Sequence, residues 1–444
     1  MMDEYQRAFE KAMSEVAAEH AKIERAIALA CAMKLKCQGI DFNRAVSALT
    51  ACITLKGADA FQAEVSADVA SLFGIPIDKV ESTIGALRLA DIERAVKVLR
   101  KALQNRATQT LERIGVEYLD RVRRAKPKIL RELRREHRGF SRRLERDWRD
   151  SLDNLLFLIW LCRETGSSVN AESRNPLTDA RRKRVETLTR LHARACQTAL
   201  EIHLLITNGF ADGAQARWRT LYELSIVAAF IAKHGRSAAR LYTEHHVVGE
   251  RKQAEAYDKT AIARGLDRIP TAEYRRIQRR FDSVRKRHGK AFTTDYGWAA
   301  VTLKLPAMTF SDLIDVVDHD YFREQYSASN DNVHATTLGL YFRLGLHETH
   351  DEVLLAGPSN LGLRNVVLAT AESLIAATDA VCSLATNIDR MSARNVMREL
   401  LAEIAEKSWQ TEDDILKRGE ATAYALRDGS ETKIRSNGLG TTRP

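Results

Sequence analysis

The chain has 444 residues, 45% hydrophobic and 29% charged, with 69 lysines and arginines against 59 aspartates and glutamates and a net charge of +10. That length holds two or three domains. The balance is that of an ordinary globular protein and is compatible with a phosphate-bearing partner, while only 7 prolines and 22 glycines argue against a many-turned β architecture.

The six cysteines include no Cys-x-x-Cys pair and sit mostly on apolar helical faces, as buried free thiols in a reducing compartment do, and they lack the spacing of a structural zinc site. The first residues are charged and carry no apolar signal core. The apolar windows Leu152–Cys162 and Leu224–Ala232 are too short to span a bilayer. The expectation is a cytoplasmic protein without membrane contact.

In chain order, apolar residues at three- and four-residue steps predict a helix over residues 3–36. Cys37-Gln-Gly-Ile-Asp-Phe interrupts it, and a second helix runs from about Phe42 to Leu55, ended by Lys56-Gly-Ala-Asp. Shorter helices fill residues 60–105, with Asp78 placed to cap one of them. From Arg121 to Asp150, thirteen basic residues face five acids. Such a run is either a solvated helix face with i,i+4 pairs or a phosphate-binding stripe, in which Arg131, Arg134, Arg135, Arg138 and Arg142 would hold nucleic acid. A strongly apolar helix begins at Asp150. Glu164 to Pro176, rich in Ser, Gly and Asn, is the best linker and marks the main boundary.

The second part opens with a helix from about Asp179 to Asn208. Gly209 fits a left-handed helix end and Asp212 the next N-cap, so an αα-hairpin is expected here. The helix from Gly213 to His234 is almost wholly apolar after Leu221, hence buried. One or two polar helices, a loop with Phe292, Tyr296 and Trp298, and a helix from Thr309 to His319 follow. Tyr321–Asn332 reads as irregular and leads into a helix from Val333 to about Glu348. Pro358-Ser-Asn-Leu-Gly introduces a long core helix to Leu384, and the tail past Asp428 reads as disordered.

Three pieces in the second part carry a resemblance. They are Gly209-Phe-Ala-Asp-Gly-Ala with Arg219-Thr-Leu-Tyr-Glu223, then Tyr296-Gly-Trp298, then Tyr321…Tyr326-Ser-Ala-Ser-Asn-Asp-Asn-Val-His334. In order and rough spacing they resemble the bacterial domain-of-unknown-function family 5677, over about residues 180–385. The resemblance implies a helical fold and candidate positions but no activity. Arg219 and Glu223 share one face of a buried helix, where a charged pair needs mutual pairing and further hydrogen bonds. With His334 they form the candidate catalytic set, able to bind phosphate or move a proton; Tyr321, Ser329 and Asn332 are the candidate ligand-binding residues. The same residues also read as a structural polar knot that fixes helix register.

A looser resemblance is to helical bundles of the HEPN class, whose Arg-x4-6-His motif implies metal-free RNA cleavage. Arg240…His245 has that spacing, as do Arg131…His137 and Arg343…His350. Phosphate loops, dinucleotide turns, His-Glu-x-x-His and Gly-x-Ser-x-Gly are missing from the sequence. His245-His246 and His347…His350 lack acid clusters, so no metal or cofactor is expected.

The expected fold is all-α, a helical bundle with long antiparallel helices and an additional N-terminal helical region. Residues 1–165 form that region with its basic stripe, 177–388 the bundle, and 389–444 a C-terminal helix and tail. Two functions fit. The first is a nucleic-acid-acting effector, ribonuclease-like and metal-independent, of a bacterial defence or stress system. The alternative is a non-enzymatic helical module that binds a protein or nucleotide partner. RNA or DNA, a second copy of the chain and a neighbouring protein are the corresponding partners.

Overall fold

Small apolar residues on every side let a helix be surrounded. Helix α1 (Ile23–Leu35) buries each position from Arg25 to Ala32, because alanines at 26, 28, 30 and 32 let neighbours approach closely. In the computed structural model, which describes residues 5–7, 9–14, 22–36, 41–56, 61–172, 179–334, 336–341, 345–346, 355–384 and 387–427, the chain divides into two compact units, Met1–Arg135 and Glu136–Pro444.

In the first unit α1 packs with α2 (Phe42–Ala51), α3 (Ala67–Leu72) and α4 (Ile77–Gly85) around Ala28, Cys31, Leu49, Phe73 and Val80. Asp41 and Ser66 cap α2 and α3 by accepting from the backbone N–H groups of Arg44 and Val69. Pro76, not Asp78, occupies the N-cap of α4; Asp78 lies in the first turn, where it still faces the positive helix end. A short antiparallel hairpin was not expected: β1 (Ile53–Leu55) pairs with β2 (Phe61–Ala63), Thr54 opposite Gln62. Three-residue strands are too short to show a period of two.

Helix α5 runs unbroken from Leu89 to Glu172, 84 residues. It absorbs three stretches that look separate in sequence: the last short helix, the basic run and the apolar helix. Pro127 lies inside it. The helix also continues through the Ser/Gly cluster to Glu172. A Cβ placed on Gly166 would lie 2.3 Å from the His192 ring, so this glycine serves close packing rather than a linker. The compact units divide at Arg135/Glu136, ahead of that cluster. The remainder of the cluster, residues 173–178, lies outside the described residues.

The core of the second unit gathers the later part of α5 (Leu144, Trp148, Leu155, Leu158, Cys162) with α6 (Asp179–Thr207), α7 (Ala211–Glu244), α14 (Leu363–Cys382) and α15 (Ile388–Arg427). Between α7 and α14 come α8 (His246–Arg264), α9 (Thr271–His288), α10 (Gly297–Leu303), α11 (Phe310–Val317), α12 (Arg323–Ala328) and α13 (Thr337–Tyr341). The sequence expectation of an all-α bundle is met. Tyr321–Asn332 is more regular than expected, since α12 is followed by a 3-10 turn over Ser329–Asn332. Only part of the helix expected from Val333 to Glu348 falls on described residues; Arg343, His347, His350 and the tail past Asp428 lie outside them.

The α6–α7 hairpin turns on Gly209, whose φ is +76°. A Cβ there would lie 2.4 Å from the Phe140 ring and 2.8 Å from the Ser359 carbonyl, so both conformation and space require glycine. Phe210, not Asp212, is the N-cap of α7, and Asp212 sits two residues past it in the first turn. Trp218 is fully buried and its indole N–H donates to the Ala369 carbonyl (2.9 Å) and Ser373 hydroxyl (3.0 Å) of α14. Helix α14 is long and apolar enough to cross a membrane (mean hydropathy 1.3), but 72% of that window is buried inside the protein. Cys162, Cys196 and Cys382 are buried thiols outside any disulfide, Cys31 is buried and Cys52 half-buried; burial pushes the Cys196 thiol up to about 12.

Candidate functional site

Helix periodicity places Gln215, Arg219, Tyr222 and Glu223 toward one side of α7, and α12 with its following 3-10 turn lies against that side. The Arg219 Nε donates to Glu223 Oε1 at 3.2 Å. One terminal nitrogen donates to the Tyr326 hydroxyl at 2.7 Å and the other to the side-chain carbonyl of Asn330. Tyr326 in turn donates its hydroxyl proton to Glu223 Oε1 at 2.6 Å. The guanidinium carbon stands 4.1 Å from the Tyr326 ring centroid, a cation–π geometry. Ser329, fully buried, donates its hydroxyl to the Tyr326 carbonyl at 2.6 Å and so holds the turn that presents Asn330.

All three guanidinium nitrogens of Arg219 are therefore engaged, and the Tyr326 hydroxyl both donates and accepts. The pair is half-buried, with side-chain exposures of 26% and 38%, more open than the apolar sequence of α7 suggests. Burial, followed by the hydrogen bond to Glu223, raises the Tyr326 phenol well above its ordinary range. Burial and then the Glu223 charge push Tyr296 up to about 12. Both phenols stay protonated at neutral pH, and Tyr326 so keeps the proton it donates to the Glu223 carboxylate.

Of the six sequence candidates, Arg219 and Glu223 touch. Ser329 and Asn332 line an adjoining cleft of about 410 Å³ together with Gln215, Gln325 and Asn365. His334 is exposed, and among the described residues its ring has no hydrogen bond. Only its backbone N–H reaches the neighbourhood, donating to the Asn330 carbonyl at 2.8 Å. Tyr321 is 75% exposed, its ring edge-on to His319 and Phe322. Sequence reasoning missed Tyr326 and Asn330 as partners. The available signal was their own i,i+4 spacing, the same as that of Arg219 and Glu223.

Each residue of the Arg240…His245 spacing has other partners. Arg240 pairs with Glu244 at 3.8 Å. The His245 Nε2 donates to the Thr294 carbonyl at 2.8 Å, its ring stands against Phe292, and burial lowers its pKa. A cleft of about 690 Å³ beside it is lined by Lys183, Arg190 and Arg194, but Glu186 pairs with the first two and Glu201 with the third. Among the described residues no three His, Cys, Asp or Glu side chains gather as a metal site requires.

The middle of the basic run has the opposite character, whereas toward its ends Arg123 pairs with Asp120, Arg146 with Asp147 and Arg149 with Glu145. In the first unit Arg124, Lys128, Arg131, Arg134 and Arg135 are exposed, and in the second Arg138 and Arg142 are too. Arg124, Lys128, Arg131 and Arg135 recur at four-, three- and four-residue steps, one face of a helix. Among the described residues none of these seven side chains makes an ion pair.

Residues 185–352 match the model of a family of unknown function, DUF5677. No curated protein and no solved structure matches the chain. The matched stretch holds the whole Arg219–Glu223–Tyr326–Asn330 cluster and stops short of α14, which the sequence resemblance had included. Over residues 185–352 the chain is similar to the DUF5677 family.

Proposed function

We propose that the protein binds nucleic acid through the exposed basic face of α5, and that the Arg219 cluster supports the fold rather than a reaction. One observation carries this reading: a run of exposed guanidinium and ammonium groups left without ion pairs, even though Glu132 lies one helical turn from Lys128 and Arg135. Such a face neutralises phosphates without reading bases, so binding weakens steeply with salt. The saturated hydrogen bonding of Arg219 and Tyr326 leaves no base or donor of that pair ready for a substrate.

The test is binding of mixed-sequence duplex RNA and DNA as a function of salt. Wild type should bind below about 0.1 M salt with a steep log–log slope and leave RNA intact. Replacing Arg124, Arg131 and Arg135 together by glutamate should weaken binding at least tenfold and flatten the slope, with unchanged circular dichroism. No binding by wild type, or equal binding by the triple variant, would sink the proposal; RNA cleavage lost in a His334→Ala protein would return the effector reading.

A second reading, pairing with another copy of the chain, is favoured by Leu119, Val122, Ile129 and Leu133. They are 37–53% exposed and spaced by three, seven and four residues, as a coiled-coil seam requires. Light scattering decides it: a dimer that dissociates in an Ile129→Asp protein supports it, and a wild-type monomer rejects it.

A further inference from the structure

A third cleft, of about 300 Å³, lies in the second unit between α14, α15 and the Tyr321–Phe322 segment. Helix α14 contributes Glu372 and Asp379 to it, α15 contributes Arg398, and Tyr222, Tyr321 and Phe322 supply aromatic surface. Asp379 is already engaged by Arg394. Glu372 is not: it is half-buried, and among the described residues it has neither an ion pair nor a hydrogen bond. Arg398 likewise has no carboxylate partner among the described residues, and no ion pair joins it to Glu372. The cleft thus holds one half-buried unpaired carboxylate, the exposed unpaired guanidinium of Arg398, the His319 ring, and aromatic faces.

Removing a carboxylate from water is unfavourable unless a cation or donor meets it. Burial alone raises the Glu372 carboxyl, and no neighbouring cation draws it back down. An ammonium group satisfies a carboxylate set among aromatic rings through both ion pairing and cation–π attraction. A guanidinium meets a carboxylate by two parallel hydrogen bonds. The volume lies at the lower end of small-ligand clefts. We infer that this cleft binds a small zwitterion of the α-amino-acid class, its ammonium at Glu372, its carboxylate at Arg398 and its apolar body against Tyr321 and Phe322. The inference is independent of nucleic-acid binding by α5.

Calorimetry on the full chain tests it, with L-phenylalanine and L-leucine as probes and with phenethylamine and 3-phenylpropionate, each lacking one of the two charges. The expected result is binding of at least one amino acid with a rise in melting temperature, and at least tenfold weaker binding of both single-charge analogues. Glu372→Gln and Arg398→Gln should each lower amino-acid affinity at least tenfold while leaving the ligand-free melting temperature nearly unchanged. Absence of binding by both amino acids overturns the proposal. So does a Glu372→Gln protein that binds as wild type, or an analogue that binds as tightly as the amino acid.

Discussion

Arg219 on α7 and the arginines on α5 are the same side chain in opposite situations. Arg219 sits in a nearly apolar helix, yet its three nitrogens reach Glu223, Tyr326 and Asn330, two of them about a hundred residues away in sequence. On α5, Arg131, Arg134 and Arg135 make no ion pair among the described residues, although Glu132 lies one helical turn from Arg135. The sparse charge is consumed, while the middle of the dense run, Arg131 to Arg142, makes no ion pair among the described residues. Density of charge along a chain therefore does not measure how much of it is available to a partner; the packing around each group does. Four measurements break or sharpen that contrast between interior and exposed polar groups.

The largest effect is expected from acid, through His192. This residue is 4% exposed, and its Nε2 lies 3.0 Å from the Thr378 hydroxyl. That hydroxyl gives its own proton to the Leu374 carbonyl, so the histidine Nε2 donates. Burial lowers the His192 pKa to about 4, against about 6.5 in an unfolded chain. The unfolded state takes up the proton first, so the contribution is fully present above pH 6.5 and is lost as pH falls toward 4. At 1.36 kcal/mol per pKa unit the loss is about 3 kcal/mol. Burial lowers His203 and His245 in the same direction. Urea unfolding at pH 7 and pH 4.5 measures the loss, and His192→Gln should remove the largest share. An unchanged pH dependence in that variant would show that interior polar groups do not govern acid stability.

Next is Arg219→Ala. Breaking a buried pair by removing one partner costs about 3–5 kcal/mol. With both side chains about a third exposed, screening reduces this to roughly 2 kcal/mol. A denaturation midpoint unchanged by the substitution would make the cluster a solvated ornament and reopen it as a binding site. How much of it the sequence revealed follows from its geometry. The Arg219/Glu223 contact is one helical turn, and Gly209 marks the hairpin that orients it, so both are visible in local spacing. Tyr326 and Asn330 enter across the fold from a stretch whose composition resembles a loop. The length of α5 was hidden for a related reason: Gly166 and its polar neighbours look like a linker until the His192 ring is seen against them. Glu372 gave no local signal, since a single acid in an apolar helix acquires meaning only from the cleft beside it.

Tyr326→Phe is the gentler probe. It keeps the ring beneath the guanidinium and removes only the hydroxyl bridging Arg219 and Glu223, an expected loss of about 1 kcal/mol. Combined with Glu223→Gln it forms a double-mutant cycle. Because the hydroxyl proton is given to Glu223 Oε1, the two losses should not add. Additive losses would mean that the hydrogen bonds act separately and that the cluster is not one unit.

The smallest effect on stability is expected from Arg134→Ala on α5, within about 0.5 kcal/mol, as for an exposed residue without partners. Its consequence should appear elsewhere. If Arg134 meets a phosphate, the alanine protein binds every nucleic-acid sequence more weakly by a similar factor, and the salt slope falls by about one. Arg219→Ala should do the reverse, changing stability while leaving the salt slope intact. Should Arg134→Ala destabilise the protein by more than 1 kcal/mol, the exposed arginines would be holding the helix rather than waiting for a ligand. The distinction between consumed and available charge would then fail at the residue where it is clearest.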